Sequence, residues 1–455
     1  MRILLVRPRP DKETIGLQNV MICEPLELEY LCSAISDSGH ETEIIDMILE
    51  KKPIGYFIEK YKPDVVGITS YISHVNTVKA YAADIKKVDR DCRVIVGGVH
   101  AEVVPEDFAD ENIDFIVQGN GLNTFREILA ALDKGAKDCD GIEGVWKEGR
   151  PRCSKETTFS YPLPDRGKVS EYRHRYYYMF HNPCALMKTS FGCPYSCSFC
   201  FCRQITDGKY FTRDLREIIE ELKTIKEEEV YIVDDDFLVD RSRIMEFCSL
   251  LSENSLKKKF LIYGRADFIA WNEDVIRCFA ANGLRAVIVG LESCQQEELS
   301  EYNKHSSVAV NEKAVSVLKN AGVECYATLI LGLDWQDREF DNLYRWLRKL
   351  DLKFINLQPF TPLPGTPLHD EYKSELEVSR QEHEKWDLAH LVVKPRRISA
   401  RRYYWNIVKL YYKVTMNPRN VIKMIRQYGI TENIKLSLGA MSITLQYLKK
   451  IVREA

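Results

Sequence analysis

The sequence predicts an α/β protein with three parts: a doubly wound, Rossmann-like domain, a (βα)6 partial TIM barrel and a helical C-terminal region. The first observation is that short apolar strands alternate with helical patterns in two separate stretches of the chain. The second is a cluster of four prolines between residues 359 and 367, after which the strands stop. The expected regions are a first domain at 1–140, a linker at 141–180, a barrel at 181–390 and a helical region at 391–455.

The composition favours a cytoplasmic chain over a secreted or membrane-spanning one. No apolar run approaches the roughly 18 residues of a membrane span, and the opening strand ends at Arg7 and Pro8 rather than extending into a signal peptide. Cytoplasmic thiols stay reduced, so the 14 cysteines are not expected to form disulfides. Ten of them lack ligand spacing and are expected to be small buried residues: Cys23, Cys32, Cys92, Cys139, Cys153, Cys184, Cys248, Cys278, Cys294 and Cys325.

The first domain is expected to contain five strands and four helices. Doubly wound sheets bind ligands beyond the carboxyl ends of their strands. A ligand site is therefore expected in the loops after Val6, Ser70, Gly97 and Gln118. The expected strands are Arg2–Val6, Glu41–Asp46, Asp64–Ser70, Arg93–Gly97 and Asp114–Gln118, and the helices between them are Pro25–Ser38, Pro53–Tyr61, Asn76–Lys87 and Asn123–Leu132.

A second alternation begins near Leu186 and contains six strands. Six strand and helix pairs that run in one direction form either another open sheet or an incomplete barrel. The stretch that separates the two alternations, 141–180, predicts a linker with a small hairpin. The expected strands are Leu186–Ser190, Val230–Asp234, Phe260–Arg265, Ala286–Gly290, Cys325–Leu331 and Phe354–Phe360, and the helices are Thr212–Lys226, Arg241–Glu253, Glu273–Asn282, Val310–Ala321 and Gln336–Leu350.

The most specific motif is a loop of three cysteines directly after the first barrel strand. Cys193, Cys197 and Cys200 are spaced four and three residues apart, so their thiolates can converge on one face of a [4Fe–4S] cluster. Three cysteines leave one iron open to another ligand. The alternative is a structural zinc site, which needs four ligands. Cys202 is the available fourth thiol, but it follows Cys200 by only two residues.

This spacing, with the aromatic Phe199 before the third cysteine, is similar to the signature of the radical S-adenosylmethionine superfamily. The resemblance implies that the open iron chelates the amino and carboxylate groups of S-adenosylmethionine. It also implies anaerobic chemistry, in which a reductant such as flavodoxin or ferredoxin drives cleavage to a 5′-deoxyadenosyl radical. Phe199 stands at the position that flanks the adenine in this superfamily.

Further contacts to S-adenosylmethionine are expected at the carboxyl ends of later strands, where barrel active sites lie. The resemblance assigns Glu292 and Ser293 to the ribose and methionyl portion, and Gly332 to the adenine. Glu292 is alternatively a carboxylate at a helix start. Arg265 ends the third strand and is a candidate partner for the cofactor carboxylate. The alternative for Arg265 is a surface charge at a strand end.

Three adjacent aspartates, Asp234 to Asp236, follow the second barrel strand. Many members of the superfamily carry a glycine and glutamate pair here, which meets the amino group of the cofactor, and this chain departs from that form. Asp-rich versions resemble the corrin-linked branch, so Asp234 is expected to contact the cofactor. A solvated loop and a metal site are the alternatives.

A doubly wound domain before such a barrel resembles the cobalamin-binding branch of the superfamily. The resemblance implies a cobalamin site at Ser70, Gly97 and Gly98, because glycine lets the backbone approach a flat ligand closely. His100 is assigned to this site as a hydrogen-bonding or packing residue rather than as a cobalt ligand. The resemblance rests on the order of four pieces, Glu24–Leu31, Val66–Ser70, Val96–Ala101 and Phe360–Pro367.

The loop after the first strand predicts no histidine ligand for cobalt. Cobalamin-dependent mutases carry Asp-x-His-x-x-Gly at this point, with the histidine on cobalt, whereas the stretch Asp11–Gly16 has Glu13 in the histidine position. Members of the radical branch commonly lack that ligand, which suits a methyl carrier. A domain that has lost its corrin is the alternative.

The C-terminal region is basic, because residues 394–455 contain fourteen Lys and Arg but only two Glu. Interleaved aromatic and basic residues predict peripheral contact with an anionic membrane surface. The alternative is a set of helices that close the barrel edge, one of them expected at Leu438–Val452. No RNA-binding module is recognisable, so no nucleic-acid partner is expected. The aromatic residues that carry the membrane prediction are Tyr403, Tyr404, Trp405, Tyr411 and Tyr412.

The combined features predict a cobalamin-dependent radical enzyme that methylates an unactivated carbon of a small-molecule or lipid-like substrate. The radical removes a substrate hydrogen, and methylcobalamin supplies the methyl group. The nearest alternative is a cyclase, rearrangement enzyme or dehydratase without methyl transfer. A non-catalytic corrin- or cluster-binding sensor is a more distant alternative, against which the barrel and its cofactor motifs argue.

Overall fold

The computed structural model describes residues 1–150 and 161–453, so Cys153 lies outside the described part of the chain. The first domain is a parallel sheet with the strand order β2-β1-β3-β4-β5. The chain goes from β1 to β2 on one side and then crosses to β3 on the other, so the topological switch point lies between β1 and β3. The strands are β1 (Arg2–Arg7), β2 (Glu41–Asp46), β3 (Val65–Thr69), β4 (Arg93–Gly97) and β5 (Phe115–Ile116).

The second sheet has six parallel strands in simple chain order, β6 to β11, with β6 and β11 at its edges. The strand order of a doubly wound sheet reverses at a switch point, whereas the strand order of this sheet runs in one direction. The prediction of an incomplete barrel, rather than a second open sheet, is therefore confirmed. The strands are β6 (Cys184–Met187), β7 (Glu229–Ile232), β8 (Lys259–Gly264), β9 (Leu284–Glu292), β10 (Glu324–Leu331) and β11 (Phe354–Pro359).

Helices follow the strands of both sheets, and several begin at the polar residues that favour helix starts. Asp214, Asp240 and Ser307 each accept a hydrogen bond from a backbone N–H of the first helical turn. The longer helices of the first domain are Leu26–Ala34, Ile54–Tyr61, Val75–Val88 and Gly121–Asp133. Those of the barrel are Leu215–Thr224, Arg241–Glu253, Ala266–Trp271, Glu273–Ala281, Val308–Asn320 and Asp337–Lys349.

Buried apolar strands hold each sheet between layers of helices. Leu4, Leu5 and Val6 of β1 are at most 1% exposed, because helices cover both faces of the first sheet. All nine described cysteines without ligand spacing are free thiols that are buried or partly buried, as expected, and none is in a disulfide.

The region between the two sheets differs from the expected linker with its own hairpin. Strand Tyr177–Tyr178 pairs antiparallel with Met21–Ile22, which follows β1. Its partner strand therefore comes from the first domain. This pairing was not predicted, because the two strands are far apart in the sequence. Arg166 and Arg173 of this region form ion pairs with buried Glu24 of the first domain and with Glu221 and Glu227 of the barrel.

Two helices form the C-terminal region, Ala400–Thr415 and Pro418–Arg453, and the second is kinked at Gly429, where φ is 79°. The first helix packs on the barrel with Tyr403 and Tyr404 buried, so the prediction that these two rings lie at a surface is wrong. Tyr403 instead donates a hydrogen bond to the carbonyl of Leu331, at the end of β10. In the described residues, no helix is long and apolar enough to cross a membrane.

Candidate functional site: two strand-end edges that meet

The cysteine loop is a compact turn held from both sides by the barrel. Gly192 has a φ of 82°, and a Cβ there would lie 2.1 Å from the carbonyl oxygen of Lys209, so only glycine fits at the start of the loop. Asn303 donates to the carbonyl of Ser196 at 2.8 Å. The backbone N–H of Ser198 donates to Tyr302. Cys193, Cys197 and Cys200 are partly buried on this loop.

Asp234 lies beneath the loop and holds it. The side chain is 1% exposed and accepts hydrogen bonds from the backbone N–H and hydroxyl of Thr189 and from the hydroxyl of Ser190, at 2.5–2.7 Å. Burial raises the pKa of Asp234, and these hydrogen bonds oppose the increase. In the described structure its contacts are to the chain, and the expectation that it also touches the cofactor stays a prediction.

Asp236 is a second buried aspartate of this run, and the sequence pattern favoured Asp234 over it. One carboxylate oxygen accepts the N–H of Leu238 at 3.1 Å, while the other has no hydrogen-bond partner among the described residues, although the side chain is 2% exposed. Burial raises the pKa of Asp236 to about 7. A buried carboxylate oxygen without a partner is costly unless something else binds it. Only its place in the Asp-rich run pointed to it.

Arg265 and Lys304 bring two positive charges to the loop. An Arg265 nitrogen lies 3.8 Å from the sulfur of Cys197, and its guanidinium lies 3.7 Å from the centre of the Tyr195 ring. Lys304 forms a buried ion pair with Glu292 at 2.7 Å. Burial raises the pKa of the Cys197 thiol, and the charges of Lys304 and Arg265 oppose that increase. Arg265 is thus a buried group at the loop, not a surface charge.

Glu292, Ser293 and Gly332 lie together where β9 and β10 end. Glu292 has a φ of 58° at an irregularity in the pairing of β9 with β10. Ser293 donates a hydrogen bond to Glu298. A Cβ on Gly332 would lie 2.6 Å from a carboxylate oxygen of the same Glu298. Burial raises the pKa of Glu298, which also accepts from Trp335. No sequence signal marked Glu298.

Phe199 faces the same region. Its ring packs edge-on against Tyr302, with ring centres 5.9 Å apart, and the ammonium of Lys304 lies 5.8 Å from its centre. It belongs to an apolar cluster that includes Ile72, which follows β3 of the first domain. Phe199 is therefore close to both domains.

At the edge of the first sheet, Gly98 packs directly on Ser70. Gly98 has a φ of 103°, and a Cβ there would lie 2.6 Å from the backbone nitrogen of Ser70. The N–H of His100 donates to the carbonyl of Ser70 at 3.2 Å. Gly97 is the last residue of β4 and is paired with Thr69 of β3. Three of the four expected cobalamin residues thus form one contiguous backbone edge, while the His100 side chain turns toward Asp107 at 2.8 Å.

This edge meets the cysteine loop. Helix Val99–Val103, which follows the Gly97 and Gly98 turn, contacts helix Cys202–Thr206, which follows the cysteine loop. Both helices begin where their strand-end loop finishes. The loops expected to hold the corrin and the loop expected to hold the cluster are therefore neighbours.

Two tyrosines lie near these two edges. Tyr71 follows the Ser70 turn, and Tyr263 belongs to β8. They keep 52% and 39% of their surface accessible, and burial against neighbouring protein atoms raises the pKa of both phenols. The charge of Tyr263 contributes to the raised pKa of Tyr71, and the charges of Cys202 and Asp235 contribute to that of Tyr263. The two rings are therefore near each other and near the cysteine loop.

The three thiols fit a cluster better than a single metal ion. A zinc ion brings its sulfur ligands within about 4 Å of one another, because each Zn–S bond is about 2.3 Å. Among the described residues, the three cysteines do not form a group with all ligand atoms within 4.8 Å. Cys202, the candidate fourth zinc ligand, contacts Asp235 at 3.6 Å and also shares a side-chain hydrogen bond with Cys200. A polynuclear cluster spans wider sulfur separations.

Two protein families match the two domains. The B12 binding domain family matches residues 14–129, and the Radical SAM superfamily matches residues 187–347. The Hopanoid C-3 methylase of Methylococcus capsulatus is 26% identical over 439 residues, which cover 93% of this chain and 83% of that protein. The anaerobic magnesium-protoporphyrin IX monomethyl ester cyclase of Rubrivivax gelatinosus is 24% identical over 472 residues and covers 99% of this chain and 82% of that protein.

A solved structure shares the fold over almost the whole chain. The cobalamin-dependent S-adenosylmethionine radical enzyme OxsB, with aqua-cobalamin and S-adenosylmethionine bound, matches with a TM-score of 0.69 and 18% identity. The match covers 96% of this chain and 72% of that protein. The expected succession of a Rossmann-like domain, a partial barrel and C-terminal helices is confirmed.

Proposed function

Because the chain is a radical S-adenosylmethionine protein with an N-terminal B12-binding domain, we propose that it methylates an unactivated carbon of a small-molecule or lipid-like substrate. When bound, the [4Fe–4S] cluster would supply the electron that cleaves one S-adenosylmethionine, and cobalamin, methylated by a second S-adenosylmethionine, would supply the methyl group. Two cofactors are needed because hydrogen abstraction from an inert carbon needs a radical, while no side chain can deliver a methyl group to the resulting carbon radical. Both cofactors must reach the same substrate atom.

The observation that carries this proposal is the meeting of the two strand-end edges. Helices Val99–Val103 and Cys202–Thr206 are in contact, and the partly accessible rings of Tyr71 and Tyr263 lie near the two edges. We expect a substrate bound against these rings to reach the Ser70 turn on one side and the cysteine loop on the other. The two tyrosine rings offer apolar surface, which suits a substrate with few charges.

The residues in and around the cysteine loop have different proposed roles in binding the cluster and S-adenosylmethionine. Cys193, Cys197 and Cys200 hold the cluster, and Arg265 is placed to receive the carboxylate of S-adenosylmethionine. Among the described residues, Asp236 has a buried carboxylate oxygen without a hydrogen-bond partner, which is available for the amino group of that cofactor. Asp234 keeps the loop in shape through Thr189 and Ser190, and the cofactor contact predicted for it stays a prediction.

A radical cyclase is the second candidate, because the Rubrivivax gelatinosus relative named a cyclase covers 99% of this chain. Both candidates begin with hydrogen abstraction at the same loop. They differ in whether cobalamin bound at the Ser70 and Gly98 edge transfers a methyl group to the substrate.

The experiment follows a labelled methyl group. Anaerobic protein loaded with cluster and cobalamin is given S-adenosylmethionine with a trideuterated methyl group, a reductant and an organic extract of the source cells. Methylation predicts the trideuterated methyl group in one extractable compound together with 5′-deoxyadenosine. Formation of 5′-deoxyadenosine and a changed product without the label supports the cyclase, and label that reaches no compound with wild-type protein contradicts methylation.

We also propose that the final helix contacts a membrane surface. On Pro418–Arg453, five apolar side chains are exposed at spacings of four, four, three and four residues, which places them on one face beyond the kink. Arg426 and Lys449 are exposed on the same helix, and the region is strongly basic. These features are typical of helices that lie in the interface of an anionic bilayer. The five residues are Ile430, Ile434, Leu438, Met441 and Leu445, 53–65% exposed.

Co-sedimentation with anionic vesicles tests this contact. Leu438→Asp places a charge in the apolar row, and we expect at least a tenfold loss of binding, because burial of one leucine contributes about 1.5–3 kcal/mol. Ala440→Asp adds the same charge to an exposed position outside the row, so it is the matched control and should bind nearly as wild type does. Equal binding by the two variants, or no binding by wild type at low salt, contradicts the proposal.

A further inference from the structure

Two histidines and an aspartate from distant parts of the chain meet beside the corrin edge. His100 and Asp107 belong to the first domain, and His383 belongs to the segment after the barrel. The Nε2 atoms of His100 and His383 lie 2.8 and 3.3 Å from the same oxygen of Asp107, and the three donor atoms all lie within 4.8 Å of one another. The three residues are 5%, 9% and 6% exposed.

His383 is the member of this group whose hydrogen-bonding capacity is not met by the described residues. Neither ring nitrogen has a hydrogen-bond partner in residues 1–150 and 161–453, although the side chain is more than nine-tenths buried. Its Nε2 faces the Asp107 oxygen at ion-pair distance without hydrogen-bond geometry. A buried polar group of this kind needs a partner, and ligand-type atoms of His100 and Asp107 lie within 4.8 Å of it.

We propose that His100, Asp107 and His383 bind a divalent metal ion, most suitably Zn²⁺. Two imidazole nitrogens and one carboxylate oxygen are a donor set that zinc accepts, with water in the fourth position. Metal-bound carboxylates are themselves held by further partners. Arg380 supplies such a partner, because it contacts the other Asp107 oxygen at 2.9 Å.

The metal fixes the segment that follows the barrel onto the first domain. Asn76 donates to the carbonyl of Gln381 at 2.9 Å and to a carboxylate oxygen of Glu384 at 2.7 Å, and the backbone N–H of Ile15 donates to Asp387 at 2.6 Å. These bonds reach the loop after β1 and the first turn of the helix that follows β3. A metal at His383 adds a third connection, to the helical stretch after β4 that carries His100 and Asp107.

The test measures zinc in the full-length protein with its cysteine loop already filled. Protein with a reconstituted iron–sulfur cluster is incubated with Zn²⁺ alone, dialysed, and analysed for zinc and iron by mass spectrometry. We expect one tightly bound zinc per chain. Zinc X-ray absorption should then give only nitrogen and oxygen neighbours at about 2.0–2.1 Å, whereas zinc held by cysteines gives sulfur at about 2.3 Å.

Three variants assign the site. His383→Ala and Asp107→Asn should each lose the zinc while the iron content stays at the wild-type level, which also shows that the barrel is folded. His369→Ala is the matched control, because His369 lies in the same part of the chain and pairs with Asp370 instead, and it should keep the zinc. Zinc should also raise the melting temperature of wild type but not that of His383→Ala.

Three results overturn the proposal. Wild-type protein with a full cluster retains no zinc, or His383→Ala with normal iron retains it, or the zinc has sulfur neighbours. In each of these cases the three residues form only a buried polar contact between the domain and the segment.

Discussion

Arg213 is one of the residues on which the shape of the cysteine loop depends. It is 1% exposed, its backbone N–H donates to Thr189 at 2.9 Å, and its guanidinium pairs with the fully buried Glu221. Thr189 in turn donates to Asp234. One chain of contacts thus runs from a buried ion pair to the start of the loop.

Replacing Arg213 should destabilise the protein strongly. Arg213→Met keeps most of the volume but leaves Glu221, among the described residues, with Arg166 as its remaining cationic partner, at 2.8 Å. Loss of a partner from a buried pair costs up to about 3–5 kcal/mol, and we expect the lower part of this range because Arg166 stays. Lys223→Met removes the exposed pair with Glu220 and should cost less than about 1 kcal/mol. Urea unfolding of the two variants measures the difference. Identical unfolding midpoints contradict the role of Arg213.

His74 gives the first domain a pH-dependent stability. It is 9% exposed, and burial, assisted by the Arg7 charge, lowers its pKa from 6.5 to about 4. Between these two pH values the unfolded chain binds a proton that the folded chain does not. Stability therefore falls as the pH falls, by about 3 kcal/mol in total.

The replacement His74→Gln removes this contribution. The variant should lose less stability than wild type between pH 6.5 and pH 4, measured as the urea midpoint at each pH. Parallel pH profiles for the two proteins would show that His74 titrates normally in the folded state.

At the scale of elements, sequence patterns predicted what depends on local chemistry. The strands β2 and β4 begin and end at the predicted residues, because apolar β-branched runs end at turn residues. The three-cysteine loop was predicted because the spacing of its cysteines alone determines whether three thiolates can bind one cluster. Contacts between distant residues were not predicted: Asp107 and His383 are far apart in the chain, and no local period brings them together. The kink at Gly429 was not predicted either, because the helix expected in this region, Leu438–Val452, begins after it, whereas the observed helix spans Pro418–Arg453.

The turn that joins β4 to its helix provides a prediction at the same scale. Gly98→Ala puts a methyl group 2.6 Å from the Ser70 nitrogen at a φ of 103°, and we expect a loss of about 1–3 kcal/mol of stability. The same change at Gly97 meets only Val117, at 3.8 Å, so Gly97→Ala should unfold close to the wild-type midpoint. Thermal melts of the two variants test this, and equal melting temperatures contradict the packing described for Gly98.

In the whole molecule, three connections hold the two domains against each other. Arg166 and Arg173 pair with carboxylates of both domains. The segment after the barrel bonds to the loop after β1 and to the first turn of the helix after β3. The kinked final helix packs Gly439 against the backbone of Asn19. The relative placement of the two edges therefore depends on contacts from several parts of the chain.

The central claim is that the three-cysteine loop binds a [4Fe–4S] cluster that cleaves S-adenosylmethionine. The most direct measurement is bound iron together with 5′-deoxyadenosine in anaerobically reconstituted protein. Wild type should hold about four irons per chain and form the nucleoside with reductant. The combined change of Cys193, Cys197 and Cys200 to alanine should abolish both, whereas Cys202→Ala, in the same loop, should keep both. Iron retained by the triple variant, or lost from Cys202→Ala, contradicts the account.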